Sequence, residues 1–244
     1  MPRHVAEAKP GKTEEIDVVI LSAGIGYTTR SYGPKALFKL HDKTLLEHQI
    51  STLRGVFHCN IIVVVGFQYE KIIRRTQQDV RFVYNPLYDE YNILHSILVG
   101  LLNCTKSKVL VVYGDLVFDA RAVNQLTPDN TSKILVDKQG QIGNNKVGVA
   151  QQDKIATNLS FGLRDKWAQI IYLTGKELIL MRDIVQGQNN KVWLGHEAIN
   201  SVIENKGKFT IIQPEMFIRE ITSVGDIKDA NTLSCVHMCP AFHS

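Results

Sequence analysis

Val18-Val19-Ile20-Leu21 is apolar at every position, and the chain then turns small and flexible through Ser22-Ala23-Gly24-Ile25-Gly26. A strand with one wet face alternates apolar and polar residues. An unbroken run rich in Val and Ile suits a strand covered on both faces, as in a parallel sheet between two helical layers. An unbroken β-branched run returns at residues 61–65, and further strands are expected at 80–84 and 108–113, the last again buried. Between them lie helical patterns. Leu45, Leu46, His48, Gln49 and Leu53 fit a helix capped by Thr44, and residues 69–78 fit another with Ile72 and Ile73 inward. Strand, helix, strand, helix, strand predicts a mainly parallel α/β sheet with right-handed crossovers.

Asn85-Pro86 breaks this rhythm, and an apolar helix is expected from Ile93 to Leu102. The second half reads as shorter strands at residues 133–137, 146–151, 154–161 and 168–173, with a hairpin turn at Gln152-Asp153. Helices at 176–186 and 195–205, a strand at 209–213 and a helix at 224–233 complete the reading. The division expected is a flexible N-terminal tail at 1–15, one mixed-sheet domain at 16–234, and a C-terminal tail at 235–244. There is no internal repeat or low-complexity linker.

The loop after the first strand carries the chemistry. Gly24 and Gly26 let the backbone turn tightly and present bare N–H groups to an anion. Arg30 and Lys35 follow on the same loop, so glycines and cations together suit a triphosphate. A Walker loop does not fit, because Lys35 follows Pro34 and no Gly-Lys-Ser/Thr opens a helix. A dinucleotide fingerprint does not fit either, because the acid at the right distance, Glu47, falls inside a helix. A Gly-x-Gly alone also suits an ordinary strand-to-loop turn.

The longer string Leu-Ser-Ala-Gly-Ile-Gly, followed by Pro-Lys-Ala-Leu, resembles the opening motif of a nucleotidyltransferase family. That family includes sugar-phosphate, choline-phosphate and methylerythritol-phosphate cytidylyltransferases and MobA-like NTP transferases. The resemblance implies a glycosyltransferase-A-like, Rossmann-like single domain. It also implies that Leu21, Ser22, Ala23, Gly24 and Gly26 wrap the nucleotide and that Lys35 contacts its phosphates. The family's Arg after the second glycine is replaced by Thr28, so Arg30 is expected to substitute in part.

Other matches follow the same family. Gly114-Asp115-Leu116-Val117 resembles its metal motif, so Asp115 is expected to hold Mg²⁺. A carboxylate at a strand's carboxyl end suits an ion that takes one or two carboxylates plus phosphate oxygens. Residues 220–227 resemble its closing motif, which implies Asp226 as the second metal carboxylate, although Ser223 and Asp226 also have the chemistry of a capping box. Gly66, Asn92 and Ser96 match positions around the base. The Tyr-Asn-Pro run before Asn92 looks most like the choline-phosphate enzymes. Trp167, beside Lys166, and Glu197 are candidates for the acceptor pocket, with Trp167 offering cation–π contact to a choline-like group or serving as core.

The implied reaction takes an NTP, CTP or UTP favoured, and a phosphorylated small acceptor, and releases pyrophosphate. Two other readings stay open: a catalytically impaired nucleotide-binding protein, and a glycosyltransferase using a nucleotide-sugar. The latter usually carries Asp-x-Asp, which is lacking here.

Composition sets outer bounds. The chain has 244 residues, 44% hydrophobic and 21% charged, enough for one domain with a sizeable core. A net charge of +4 suits phosphate ligands and is too mild to argue for nucleic acid. No apolar run approaches the ~20 residues of a membrane span. The polar N-terminal stretch reads as neither signal nor transit peptide. Four scattered cysteines fit free thiols in a reducing, cytoplasmic setting. Cys235-x-His237-x-Cys239 does not have standard zinc spacing. A homo-oligomer is compatible with a sequence that marks no interface.

Overall fold

The computed structural model describes residues 15–137, 146–190, 192–214 and 218–238. In chain order the elements are β1 (Ile16–Ser22), β2 (Lys39–Leu40), β3 (Lys43–Thr44), α1 (Leu45–Val56), β4 (Cys59–Val65), α2 (Tyr69–Arg75), β5 (Arg81–Tyr84), α3 (Ile93–Leu102), β6 (Lys108–Tyr113), β7 (Leu116–Phe118) and α4 (Ala120–Asn124). They continue with β8 (Lys133–Asp137), β9 (Val147–Gln152), β10 (Ile155–Phe161), β11 (Asp165–Thr174), α5 (Gly175–Gln186), α6 (Gly195–Glu204), β12 (Thr210–Ile212), β13 (Ile218–Glu220) and α7 (Val224–Met238).

Nine strands form one sheet in the order β5-β4-β1-β6-β11-β8-β12-β10-β9. The first four are mutually parallel. Only β11 and β10 run against the rest among the described residues. This is the mixed, mainly parallel sheet expected. Alternate residues of β1 feed two cores. Val19 and Leu21 pack beneath α3, α5 and α6. Ile16, Val18 and Ile20 pack beneath α1, α2 and α4. Burying each such side chain stabilises the fold by about 1.5–3 kcal/mol.

Local chemistry sets the boundaries. Thr44 caps α1 as expected: its hydroxyl accepts from the Glu47 amide at 3.2 Å, and the Glu47 carboxylate accepts from the Thr44 amide at 2.7 Å. The β9–β10 hairpin turns on Asp153 and Lys154, one residue later than read, with φ of 52° and 62°. Two left-handed residues match the twist of a tight hairpin. Ile73 is 40% exposed rather than inward, because α2 stops at Arg75 and covers the sheet with Ile72. The closing helix runs to Met238, past the expected end at residue 233, so Cys235 and His237 lie within α7 and not in a tail. Cys239 and the start of the expected N-terminal tail, residues 1–14, lie outside the described residues. Glu15, assigned to that tail, is ion-paired with Lys106. Among the described residues, no helix is long and apolar enough to cross a membrane.

His48 gives the fold a pH dependence. It is buried in α1, with Nε2 3.0 Å from the Phe118 carbonyl. Burial pushes its pKa down; the carbonyl and Asp119 oppose that, while Lys43 adds to it. A base depressed below its ordinary ~6.5 contributes stability that is present above that pH and lost as pH falls through the folded value. His196 shifts in the same direction through burial. The urea midpoint should therefore fall between pH 7 and pH 5, and His48→Gln should flatten part of that slope. An unchanged slope in the variant would remove His48 from the effect.

Candidate active site

The carboxyl ends of β1 and β6 meet at one edge of the sheet, where open α/β sheets place ligands. Gly114 makes this junction: a Cβ there would lie 2.4 Å from the Leu21 carbonyl oxygen. The Gly114 amide donates to that same oxygen at 2.9 Å. Asp115 is thereby held beside the loop that follows β1. Gly26 shapes that loop with φ of 61°, and a Cβ there would come within 2.8 Å of the Thr29 hydroxyl. The Lys35 ammonium reaches across and donates to Asp115 Oδ2 at 3.1 Å. The Ser22 hydroxyl is buried here without a hydrogen-bond partner among the described residues.

Two cavities open from Asp115. The first, about 190 Å³, is lined by Leu21, Ser22, Gly24, Gly26, Lys35 and Ala36, together with Ile93, Tyr113, Gly114 and Asp115. The second, about 330 Å³, shares Ile93, Tyr113 and Asp115. Its other walls include Lys146, Lys166, Trp167, Gln169, His196 and Glu220. Glu220 Oε2 lies 2.6 Å from Lys146 Nζ and 3.7 Å from Lys166 Nζ. Trp167 meets Tyr113 edge to face, with centroids 5.5 Å apart. Burial pushes the Tyr113 hydroxyl well above its usual range, so it stays protonated.

The second cavity depends on a long-range strap. β13 pairs antiparallel with β7, and the Ile221 amide donates to the Asp115 carbonyl at 2.7 Å. This brings residues 218–221 to Asp115 and supplies Glu220. The closing segment thus lies beside the Asp115 motif, and the carboxylate it brings to the second cavity is Glu220.

Asp226 lines neither cavity. Its Oδ2 accepts from the amides and hydroxyls of Thr222 and Ser223 at 2.7–3.1 Å. The Ser223 hydroxyl accepts from the Asp226 amide at 3.2 Å, completing the capping box of α7. Burial raises the Asp226 pKa, and these hydrogen bonds outweigh it, holding the carboxyl below the usual range. The side chain is used as a helix cap, because the start of α7 offers it four donors at once.

Other expected residues also find structural partners. Arg30 is exposed on a short 3₁₀ turn and lines neither cavity. Thr28 Oγ1 donates to the Thr222 carbonyl at 2.5 Å, tying the loop to the strap. Ala23 is buried, and its carbonyl accepts from the Phe67 amide at 2.9 Å. Gly66 lies where Tyr88 crosses, leaving 2.6 Å for a Cβ. Asn92 donates to the Val192 carbonyl. Ser96 is buried and accepts from Asn85 Nδ2 at 3.0 Å, which anchors the Asn85-Pro86 turn. Ile93, between them, is the residue of this stretch that reaches both cavities. Glu197 caps α6 by accepting from the Leu194 amide at 2.6 Å and lines neither cavity.

Gln49 was read only as part of a helix. It is fully buried, and its Nε2 donates to the carbonyls of Tyr113 at 3.0 Å and Leu116 at 2.8 Å. These carbonyls flank Gly114 and Asp115, so Gln49 pins both ends of the turn that carries the carboxylate. Gln49→Leu leaves two buried carbonyls without this donor and should cost about 1–3 kcal/mol. It should also lower turnover while the folded variant still binds nucleotide. Wild-type turnover in a destabilised Gln49→Leu protein would limit Gln49 to a folding role.

Among the described residues no group of three or more His, Cys, Asp or Glu side chains could hold a metal ion. Asp115, with its side chain 27% exposed at the junction of the cavities, fits an ion carried in by phosphate oxygens and water.

The model of the MobA-like NTP transferase domain matches residues 18–151, more than half of the chain and the whole wall of the first cavity. Over 118 residues the chain is 34% identical to the bifunctional protein GlmU of Francisella tularensis subsp. novicida, a match covering 48% of this chain and 26% of that relative. The fold is similar to that of the CTP:phosphocholine cytidylyltransferase of Streptococcus pneumoniae, with a TM-score of 0.75 and 19% identity over 90% of this chain and 99% of that one. It is also similar to the inositol-1-phosphate CTP transferase of T. maritima, with a TM-score of 0.73 and 14% identity over 88% and 94% of the two chains. The chain belongs to the MobA-like NTP transferase family.

Proposed function

We propose that the chain transfers a nucleotidyl group from an NTP to a phosphorylated small molecule and releases pyrophosphate. The observation that carries this reading is the pair of cavities sharing Asp115, one beside a glycine loop and Lys35, the other walled by Lys146 and Lys166. Two lysine-lined cavities that meet at one carboxylate suit the joining of two phosphates.

In this reading the nucleotide lies in the first cavity, with Gly24 and Gly26 admitting its phosphates close to the backbone. The acceptor phosphate is held by Lys146 and Lys166, with Glu220 fixing their ammonium groups. An acceptor oxygen attacks the α-phosphorus in line; the new P–O bond forms as the bond to the β-phosphate oxygen breaks, and pyrophosphate leaves. No protein nucleophile is needed, so the protein's contribution is positioning and charge neutralisation. Lys35 supplies a fixed positive charge where negative charge develops. Mg²⁺, when bound at Asp115 with the nucleotide, would neutralise phosphate charge and act as a Lewis acid. CTP and UTP are the favoured donors, and sugar phosphates and phosphocholine-like compounds the favoured acceptors.

Free thiols, Cys104 buried and Cys59 half-buried, suit the cytoplasmic setting included in this proposal. Cys59 and Cys104 are free, and burial pushes their pKa values up to about 11 and about 12. The reading is tested by screening four NTPs against phosphorylated sugars, polyols and amino-alcohols for pyrophosphate release. Release should require both substrates and Mg²⁺. Tight nucleotide binding with no release from any pair would favour a nucleotide-binding protein instead, a reading to which exposed Arg30 and capped Asp226 lend support.

A further inference from the structure

The loop after β1 and the strap around β13 are joined into one piece. Gly26 opens a tight turn, and its carbonyl accepts from both the amide and the hydroxyl of Thr29, at 2.8 and 3.1 Å. Thr28 sits inside that turn, and its Oγ1 donates to the Thr222 carbonyl at 2.5 Å, across 194 residues of chain. The Thr222 amide is taken by Asp226 Oδ2 at 2.8 Å, so the strap is held on both sides of one residue. One residue earlier, the Ile221 amide donates to the Asp115 carbonyl at 2.7 Å. One earlier still is Glu220, whose Oε2 meets Lys146 at 2.6 Å and Lys166 at 3.7 Å. Behind the strap, Ile221 packs with Ile227 and Ala230 of α7 onto Leu40, Leu45 and Val117. Asn231 of α7 accepts from the His41 amide at 2.7 Å and donates to the Lys39 carbonyl at 3.3 Å. The strap is therefore a supported element and not a free loop.

We infer that Thr28 is a positioning residue that couples the two cavities: it carries the position of the nucleotide loop into the strap, and through Glu220 into the lysines of the second cavity. This deepens the nucleotidyl-transfer reading above and rests on it for what the cavities hold. Gly26 lines the first cavity, so phosphates seated there bear on the turn that holds Thr28. Thr28 itself lines neither cavity, so it acts through the strap. Glu220 lines the second cavity two residues from Thr222, and both cavity lysines pair with it. Were the loop untied, seating a nucleotide would leave the second cavity as it was. Tied, each ligand orders what the other needs ordered, and each favours the other by the same factor. In-line attack tolerates little misplacement, so fixing the two cavities relative to each other serves the reaction directly. The tie is a single hydrogen bond at an exposed position, so one atom removes it.

The test is hydrogen exchange of the full chain, followed by mass spectrometry, with Mg²⁺ and non-hydrolysable CTP and UTP analogues. In wild type an analogue should slow exchange in residues 22–33 and, with them, in residues 218–223. Thr28→Val removes the donor and keeps the shape. Loop protection should remain, and strap protection should fall by roughly 2–10-fold, the range of one hydrogen bond. Thr28→Ser keeps the hydroxyl and should keep the protection. Inorganic phosphate, titrated calorimetrically into the analogue-bound chain, should bind more weakly in Thr28→Val by a similar factor, and as in wild type in Thr28→Ser. A role in folding alone would change exchange without ligand and leave the response to the analogue as it was. Strap protection that is equal in Thr28→Val and wild type, or absent from both while the loop is protected, overturns the inference and leaves nucleotidyl transfer standing. Phosphate affinity that ignores the substitution does the same. An analogue that protects no loop residue overturns the inference and the nucleotide site together. The expected pattern without pyrophosphate release from any NTP and acceptor would leave the inference standing and overturn nucleotidyl transfer.

Discussion

Lys35→Ala should reduce pyrophosphate release at saturating nucleotide by roughly 10²-fold or more, with the fold intact. The ammonium is one wall of the first cavity and meets Asp115 at 3.1 Å, so its charge lies between the nucleotide loop and the junction with the second cavity. A positive charge fixed before the reaction needs no reorganisation as phosphate charge develops, and so the loss should fall on turnover more than on affinity. The side chain caps no helix and is ion-paired with the part-exposed Asp115, so little stability should go with it. Arg30→Ala is the control on the same loop. Exposed and outside both cavities, Arg30 should change turnover by less than a few-fold. Equal losses in the two variants would restore Arg30 to the site and show that the loop closes over bound nucleotide.

The second large effect separates two aspartates that the sequence places in one role. Asp115→Asn should lower turnover by roughly 10²–10³-fold and weaken the response to Mg²⁺, because it removes the carboxylate shared by both cavities. Asp226→Asn should behave differently. It weakens a capping box and should cost about 0.5–2 kcal/mol of stability with turnover largely kept. Stability from the Asp226 carboxylate is present above its ordinary pKa and lost as pH falls through the depressed folded value. A loss of Mg²⁺ response in folded Asp226→Asn would return Asp226 to the metal site.

The sheet was legible because buried parallel strands leave an unmistakable record. Residues 18–21, 61–65 and 109–112 are short runs rich in Val and Ile of the kind a doubly covered strand needs, and their carboxyl ends locate the site. The glycine loop, Lys35 and Asp115 were legible because the chemistry and the strand end coincide in a short stretch. Polar residues near a motif have a structural use as well as a ligand-binding one, and the sequence does not separate the two. Asp226, Glu197, Asn92 and Ser96 are all satisfied by nearby backbone or side-chain partners, a use open to any short polar side chain beside a helix start or turn. What was missed depends on long-range pairing. Glu220 joins Asp115 only because β13 lies on β7, and Lys146 joins Glu220 across 74 residues. Gln49 did carry a signal: an amide on the apolar face of α1 must have buried partners, and those partners are the carbonyls around Asp115.

The most direct measurement follows the α-phosphorus. Purified chain, an NTP labelled with ³²P at the α-position, Mg²⁺ and a phosphomonoester acceptor are incubated, and the labelled species are separated. The account predicts that label moves into a nucleoside-diphospho conjugate of the acceptor, in step with unlabelled pyrophosphate, and that both slow by roughly 10²-fold or more in Lys35→Ala and Asp115→Asn. Label that stays in the NTP with every acceptor, or that appears as free NMP independently of acceptor, would contradict a transfer site formed where the two cavities meet.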